Sequence, residues 1–223
     1  MKKYDSSQPL IFIHIPKTAG TSVNAIFRSW FGDGFVSHYP VGATKVEKYD
    51  LHAMAATKRP HVVYGHFNHK RGFGVPDCCP DATQFMTVMR DPWDQRLSGY
   101  FYSKSLPPER RHPSFHKMPP LREFLLNTEF SQLNPFPRKI RNDNYKEIID
   151  QLFVGIGTTE KLQSSIEAFA RTLGRDEVGF TLKYLNTSEK DEDIPEDLLM
   201  EFRHVHALEC EVYDYINLLE SAS

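Results

Sequence analysis

LIFIHIPKTAGTS, residues 10–22, joins two kinds of local structure in thirteen letters. LIFIHI (10–15), bounded by Pro9 and Pro16, is a β-rich run of strand length. SVNAIFRSWF (22–31) sets Val23, Ile26, Phe27, Trp30 and Phe31 at helical spacing. What lies between is a tight strand-to-helix turn. A helix amino terminus carries unpaired N–H groups and partial positive charge, which suits an anion and above all a phosphate. Lys17 adds a point cation, Gly20 room for close approach of the backbone, and Thr18, Thr21 and Ser22 hydroxyl donors. The plainer reading is that one of these hydroxyls caps the helix while Lys17 is solvated. The lysine precedes Gly20 by three residues, whereas the nucleotide-triphosphatase loop reads G-x-x-x-x-G-K-[ST], so an ordinary Walker-type site is disfavoured.

Outward from this turn the chain alternates strands and helices. HVVYGH (61–66), QFMTVM (84–89) and LFVGIG (152–157) read as further strands. EKYDLHAMAAT (47–57) reads as a helix before the second strand. Asp91-Pro92 opens another helix, whose Trp93, Leu97, Tyr100 and Phe101 form an apolar stripe. TEKLQSSIEAFARTLG (159–174) ends on Gly174 as a helix stop, and 198–219 reads as one long amphipathic closing helix. Residues 105–120, with five prolines, read as an irregular loop, and the acidic stretch 189–198 as a solvated turn and helix start. Strands separated by helices imply an α/β fold with a mainly parallel sheet flanked by helices on both faces. Ligands in such folds sit beyond the carboxyl ends of the strands.

The chain has 223 residues, 40% of them hydrophobic, enough for a full core, and is expected to form a single domain over 1–223. With 27 Lys and Arg against 29 Asp and Glu the formal net charge is −2, so no global field recruits nucleic acid or an anionic membrane. Any anion must be gripped locally. Three cysteines, with Cys78 and Cys79 adjacent, make neither a disulfide framework nor a spaced zinc motif, and ten histidines form no metal constellation; no metal site is expected. No window reaches the roughly 18 apolar residues of a membrane helix. The expected location is the cytoplasm, though a Golgi-lumenal domain trimmed of its anchor would read the same way.

A second constellation lies in MTVMRDPWDQRLSGYFYSK (86–104). Arg90 stands where a strand ends and Ser98 eight residues later on the following helix. A guanidinium and a hydroxyl suit a second phosphate, and two anion sites imply a doubly phosphorylated ligand. Read structurally, Arg90 would pair with Asp91 or with a helix carboxyl end, and Ser98 would be a surface residue.

PKTAGTS after a strand, with RDP and a serine eight residues after its arginine, resembles the sulfotransferases that use 3′-phosphoadenosine-5′-phosphosulfate (PAPS), in particular the group containing heparan sulfate 2-O-sulfotransferase and the carbohydrate 4-O-sulfotransferases. The resemblance spans most of the chain. It implies a P-loop NTPase-like sulfotransferase fold and a 5′-phosphosulfate loop over Pro16, Lys17, Thr18, Ala19, Gly20, Thr21 and Ser22. It also implies a 3′-phosphate site at Arg90 and Ser98. GIGTTEKLQSSIEAF and YLNTSEK (184–190) are similar to later family segments, the second to a carboxyl-terminal cofactor loop. Many members carry another arginine five residues after the first, where this chain has Gln95 and then Arg96; one position rotates a helical side chain by about 100°, so no role passes to Arg96.

VVYGHFNH (62–69) resembles the segment in which related carbohydrate sulfotransferases carry a histidine after a glycine, here His66, with His69 as a weaker rival. An unperturbed histidine titrates near pH 6.5 and accepts a proton from an alcohol at neutral pH. The implied reaction is in-line sulfuryl transfer from PAPS to an acceptor hydroxyl, with His66 as base and Lys17 opposing the charge that grows on the departing adenosine 3′,5′-bisphosphate. A sulfuryl group bears less charge than a phosphoryl group, so no metal is required. The acceptor is expected to be a saccharide or a small molecule; Lys70, Arg71, Arg110, Arg111, Arg138, Lys139 and Arg141 are the cations available to an acidic one. Two other readings stay open: a kinase or nucleotide hydrolase with an unusual phosphate loop, and a nucleotide-binding module without catalysis.

Overall fold

The computed structural model describes residues 1–40, 46–111, 117–175 and 194–221. Five strands, β1 (Leu10–Ile13), β2 (Phe35–His38), β3 (Val62–Gly65), β4 (Phe85–Met89) and β5 (Phe153–Thr158), form a wholly parallel sheet in the order β2-β3-β1-β4-β5. The helices are α1 (Gly20–Phe31), α2 (Leu51–Ala56), α3 (Val75–Cys78), α4 (Pro92–Ser105), α5 (Leu121–Leu126), α6 (Tyr145–Leu152), α7 (Leu162–Leu173), α8 (Glu196–Val205) and α9 (Ala207–Ser221).

Strands covered on both faces must be apolar at every position rather than at alternate ones. β1, β3, β4 and β5 are buried throughout. Their alternate residues feed two cores: Leu10, Phe12 and Tyr64 pack with α1 and α7, and Ile11, Ile13 and Val63 with α6 and α9. A third core joins Leu97, Tyr100 and Phe101 of α4 to Phe124 of α5 and Phe202 of α8, with Trp93 partly buried beside it. The apolar stripe of α4 thus fastens that helix to its neighbours and leaves its other side for the site.

Six elements depart from the sequence reading. β2 is an added edge strand; only His38 of its four residues is buried, so it carries no strand-like hydrophobic pattern. The helix expected over 47–57 is confined to Leu51–Ala56, because Asp50 caps it by accepting a hydrogen bond from the Ala53 N–H at 2.9 Å. Helices α3, α5 and α6 have no counterpart in the sequence reading. The long closing helix is two, broken at His206, whose buried ring lies 4.3 Å from Phe202 and reaches the Leu125 carbonyl through Nε2 at 2.9 Å. Gly174 ends α7 in the left-handed region at φ 62°, as expected. YLNTSEK (184–190) lies outside the described residues.

Candidate functional site

Parallel register brings the carboxyl ends of the strands to one edge, and the residue that follows each of the first four is polar. These are His14 after β1, Tyr39 after β2, His66 after β3 and Arg90 after β4. Ile13 and His38 both stand opposite Gly65, so His14, Tyr39 and His66 emerge side by side. The His14 and His66 rings meet edge to face at 4.5 Å, Tyr39 lies 4.8 Å from His66, and the Tyr39 hydroxyl is 2.9 Å from His14 Nδ1. The His66 N–H donates to the His38 carbonyl at 2.9 Å. A Cβ on Gly65 would lie 1.7 Å from that carbonyl oxygen, so only glycine lets β2 come this close beneath His66.

The turn after β1 is held from inside. Thr18 is buried and its hydroxyl donates to the Ile15 carbonyl at 2.8 Å, while the buried Tyr64 hydroxyl donates to the Gly20 carbonyl at 3.1 Å. Lys17 (φ 69°) and Ala19 (φ 59°) both adopt the left-handed conformation, which costs a side-chain-bearing residue about 1–2 kcal/mol. Strain of this kind gathers where a backbone is shaped for a ligand. α1 begins at Gly20 without a side-chain cap and without an acidic residue in its first turn. Thr21 is exposed and Ser22 half-buried there.

Two cations converge on this turn. Arg90 Nη1 approaches the Lys17 carbonyl oxygen at 3.5 Å, and Lys17 Nζ lies 4.0 Å above the Tyr102 ring. Burial, and then the Arg90 charge, push the Lys17 amine below its ordinary range. Repelling, partly desolvated cations beside an uncapped helix fit a polyanionic ligand. Ser98 stands half-buried on α4. Gln95, at the position where the resemblance would place an arginine, instead donates from Nε2 to the Pro16 carbonyl at 2.9 Å. Arg96 is fully buried, donates to the Asn127 carbonyl and faces Glu209 across 3.7 Å, an internal ion pair well inside the fold.

Lys17, His14 and His66 share a cavity of about 320 Å³, lined by Phe67, Phe73, Tyr102 and Phe130 together with polar residues, Gln132 among them. Neither Arg90 nor Ser98 lines it, and Arg90 meets the turn at the Lys17 carbonyl oxygen. A polar cavity of about 480 Å³ adjoins it through Asn68, Arg71, Glu129 and Phe130, and brings Lys70 and Lys117 to its wall. Burial, chiefly, lowers His66 to about 4 and His14 to about 3, so both rings are neutral across the physiological range. His69 is exposed, with Nδ1 2.6 Å from the Asn134 carbonyl oxygen. Among the other cations, Arg111 spends its guanidinium on the Ser103, Lys104 and Leu106 carbonyls at the end of α4, and Arg141 pairs with Asp143. Among the described residues no group of three or more His, Cys, Asp or Glu is placed to hold a metal ion, and no helix is long and apolar enough to cross a membrane.

No protein-family model matches the sequence, and no curated protein does. Solved structures do. A sulfotransferase from Alicyclobacillus acidocaldarius superposes with a TM-score of 0.50 at 14% identity, covering 94% of this chain and 96% of that one. The chain has a sulfotransferase fold. Mouse sulfotransferase SULT7A1, complexed with PAP, matches with a TM-score of 0.45 at 10% identity over 91% of this chain; the chain spans 64% of the mouse protein's length.

The sequence reading named Lys17 in the turn after β1, and His66 and Arg90 where strands end; within this sulfotransferase fold the structure places all three at the carboxyl edge of the sheet. The strand-end rule, a polar residue closing an apolar run, also marks His14, which the sequence reading passed over as part of its strand. Tyr39 was hidden with β2. Gln95 and Tyr102 follow from the helical spacing of α4 only once its apolar face is known.

Proposed function

We propose that the chain is a PAPS-dependent sulfotransferase acting on an acceptor hydroxyl. One observation carries the reading: Lys17 and His66 line a single cavity, and the Arg90 guanidinium reaches the carbonyl of the same lysine. Bound there, the donor would supply the sulfuryl group and a bisphosphate leaving group. The N–H groups opening α1, with Lys17, Thr21 and Ser22, hold the 5′ end; Arg90 and Ser98 hold the 3′-phosphate. His66, half-buried and neutral because of that desolvation, takes the proton of the acceptor hydroxyl. Lys17 opposes charge on the departing bisphosphate, an interaction that strengthens as the reaction proceeds.

The acceptor sits in the aromatic-walled cavity beside His66 and extends into the polar one beside Arg71, which suits a saccharide or a small molecule with a polar extension. The saccharide preference rests on the motif resemblance. The cysteines are free, in keeping with the cytoplasm. The deciding experiment supplies sulfur-labelled PAPS in the presence of chelator, and in a separate control γ-phosphate-labelled ATP with magnesium and no chelator, each across saccharide, phenol and alcohol acceptors. Labelled sulfate should appear on an acceptor. Transfer from ATP alone would replace this reading with a kinase, and tight bisphosphate binding without turnover on any acceptor would leave a binding module.

A further inference from the structure

We propose that Gln132 is the positioning residue that gives the site its preference for a 3′-phosphate. The inference rests on the reading of Arg90 as the 3′-phosphate ligand. Arg90 is the first residue beyond β4, where the ladder to β5 has closed at Met89 and Thr158. Its peptide groups therefore have no strand neighbour, and a half-buried backbone must find partners elsewhere. Gln132 supplies both. Its Oε1 accepts from the Arg90 N–H at 3.1 Å and its Nε2 donates to the Arg90 carbonyl at 2.9 Å, as a neighbouring strand would.

A two-point clamp fixes the peptide planes on either side of the Arg90 Cα, and with them the direction in which the guanidinium leaves the sheet. Gln132 is itself immobilised: it is 1% exposed, and its own N–H donates to Glu209 Oε1 at 2.8 Å. Glu209 on α9 is held in turn by the buried Arg96. A chain of contacts thus runs from the last helix to the arginine beside Lys17. A site whose donors are held before the ligand arrives loses less conformational freedom on binding, and here the saving falls on one phosphate only.

A merely structural glutamine would affect every nucleotide alike. The test is calorimetric affinity for adenosine 3′,5′-bisphosphate and for adenosine 5′-monophosphate, in the wild-type chain, Gln132→Met, Arg90→Ala and the double variant. Gln132→Met should weaken the bisphosphate about tenfold, which is about 1.4 kcal/mol, leave the monophosphate within about twofold, and add nothing in the Arg90→Ala background. Should Gln132→Met fail to fold, Gln132→Asn keeps the amide but falls one methylene short, and is read in the same way. Equal loss for both nucleotides, no loss for either, or an undiminished effect without Arg90 overturns the proposal. Failure of Arg90→Ala itself to erase the preference would instead remove the underlying reading of Arg90.

Discussion

The imidazole of His14 occupies the space in which Gly20 would carry a side chain: an ideal Cβ on Gly20 falls 1.6 Å from His14 Nε2. Gly20 is therefore required by the ring packed on it, a different reason from room for a ligand. Because Tyr39 and His66 hold that ring, it cannot swing away freely.

Gly20→Ala should destabilise the protein by about 1–3 kcal/mol, the usual cost of overpacking a filled interior. His14→Ala opens the space, so the double variant should recover most of the loss. Urea denaturation of the four proteins gives the coupling energy directly; strict additivity would mean that the two residues do not meet.

His66 and Arg90 were legible in sequence as strand-end residues and the contacts that aim them were not, for a physical reason. LIFIHI, VVYG, FMTVM and FVGIG announce themselves because a parallel sheet buried on both faces must be apolar throughout, and a polar residue at the end of such a run is conspicuous. β2 and the break at His206 are set by tertiary neighbours, the sheet edge and the pocket around Phe202, which no local pattern encodes. Gln132 lies 42 residues from Arg90 in an irregular stretch, and a side chain reading a distant backbone leaves no periodic trace. Arg96 illustrates the converse. Its place next to Gln95 on α4 is plain in the sequence, but its partner Glu209 lies on a helix whose approach only the fold reveals.

Arg96→Ala should cost roughly 3–5 kcal/mol, since it strands the Glu209 carboxylate in the interior. Burial already raises that carboxyl's pKa while Arg96 opposes the rise, so its loss should drive Glu209 toward the neutral form. Thermal melts should show the loss easing at low pH, where the carboxyl is protonated in both states. A loss independent of pH would mean that the pair is not what Arg96 contributes.

The proposed role of His66 as base makes a prediction about pH. With its pKa lowered to about 4 by burial, the ring is neutral above that value and becomes protonated below it. The acid limb of kcat/KM, which reports the free enzyme, should fall near pH 4 and stay flat through pH 6, where an ordinary histidine would already lose activity. Binding a polyanion favours the imidazolium and should move the limb of kcat to higher pH. The same burial makes folding sensitive to acid: below about pH 6.5 the unfolded chain protonates His14 and His66 while the folded one does not. Stability is therefore lost as pH falls from about 6.5 toward 4, by up to roughly 1.4 kcal/mol per pH unit for each histidine. His14→Gln should shallow that slope by one proton's worth in melts taken across this range.

Lys17 and Arg90 should stabilise the ligand at the expense of the free protein. Their charges repel across a partly desolvated turn in which Lys17 and Ala19 already hold left-handed backbone. Either Lys17→Met or Arg90→Met removes that repulsion and should raise the melting temperature of the unliganded chain, by an amount equivalent to about 0.5–2 kcal/mol. Adenosine 3′,5′-bisphosphate should stabilise the wild-type chain by about 2.7 kcal/mol at a hundredfold excess over its Kd, because it binds the folded state alone. Both variants should lose most of that shift. Differential scanning calorimetry with and without the bisphosphate separates the two effects. A variant that melts lower than wild type when free would show that the cation contributes to folding, and that the turn is no strained anion cradle.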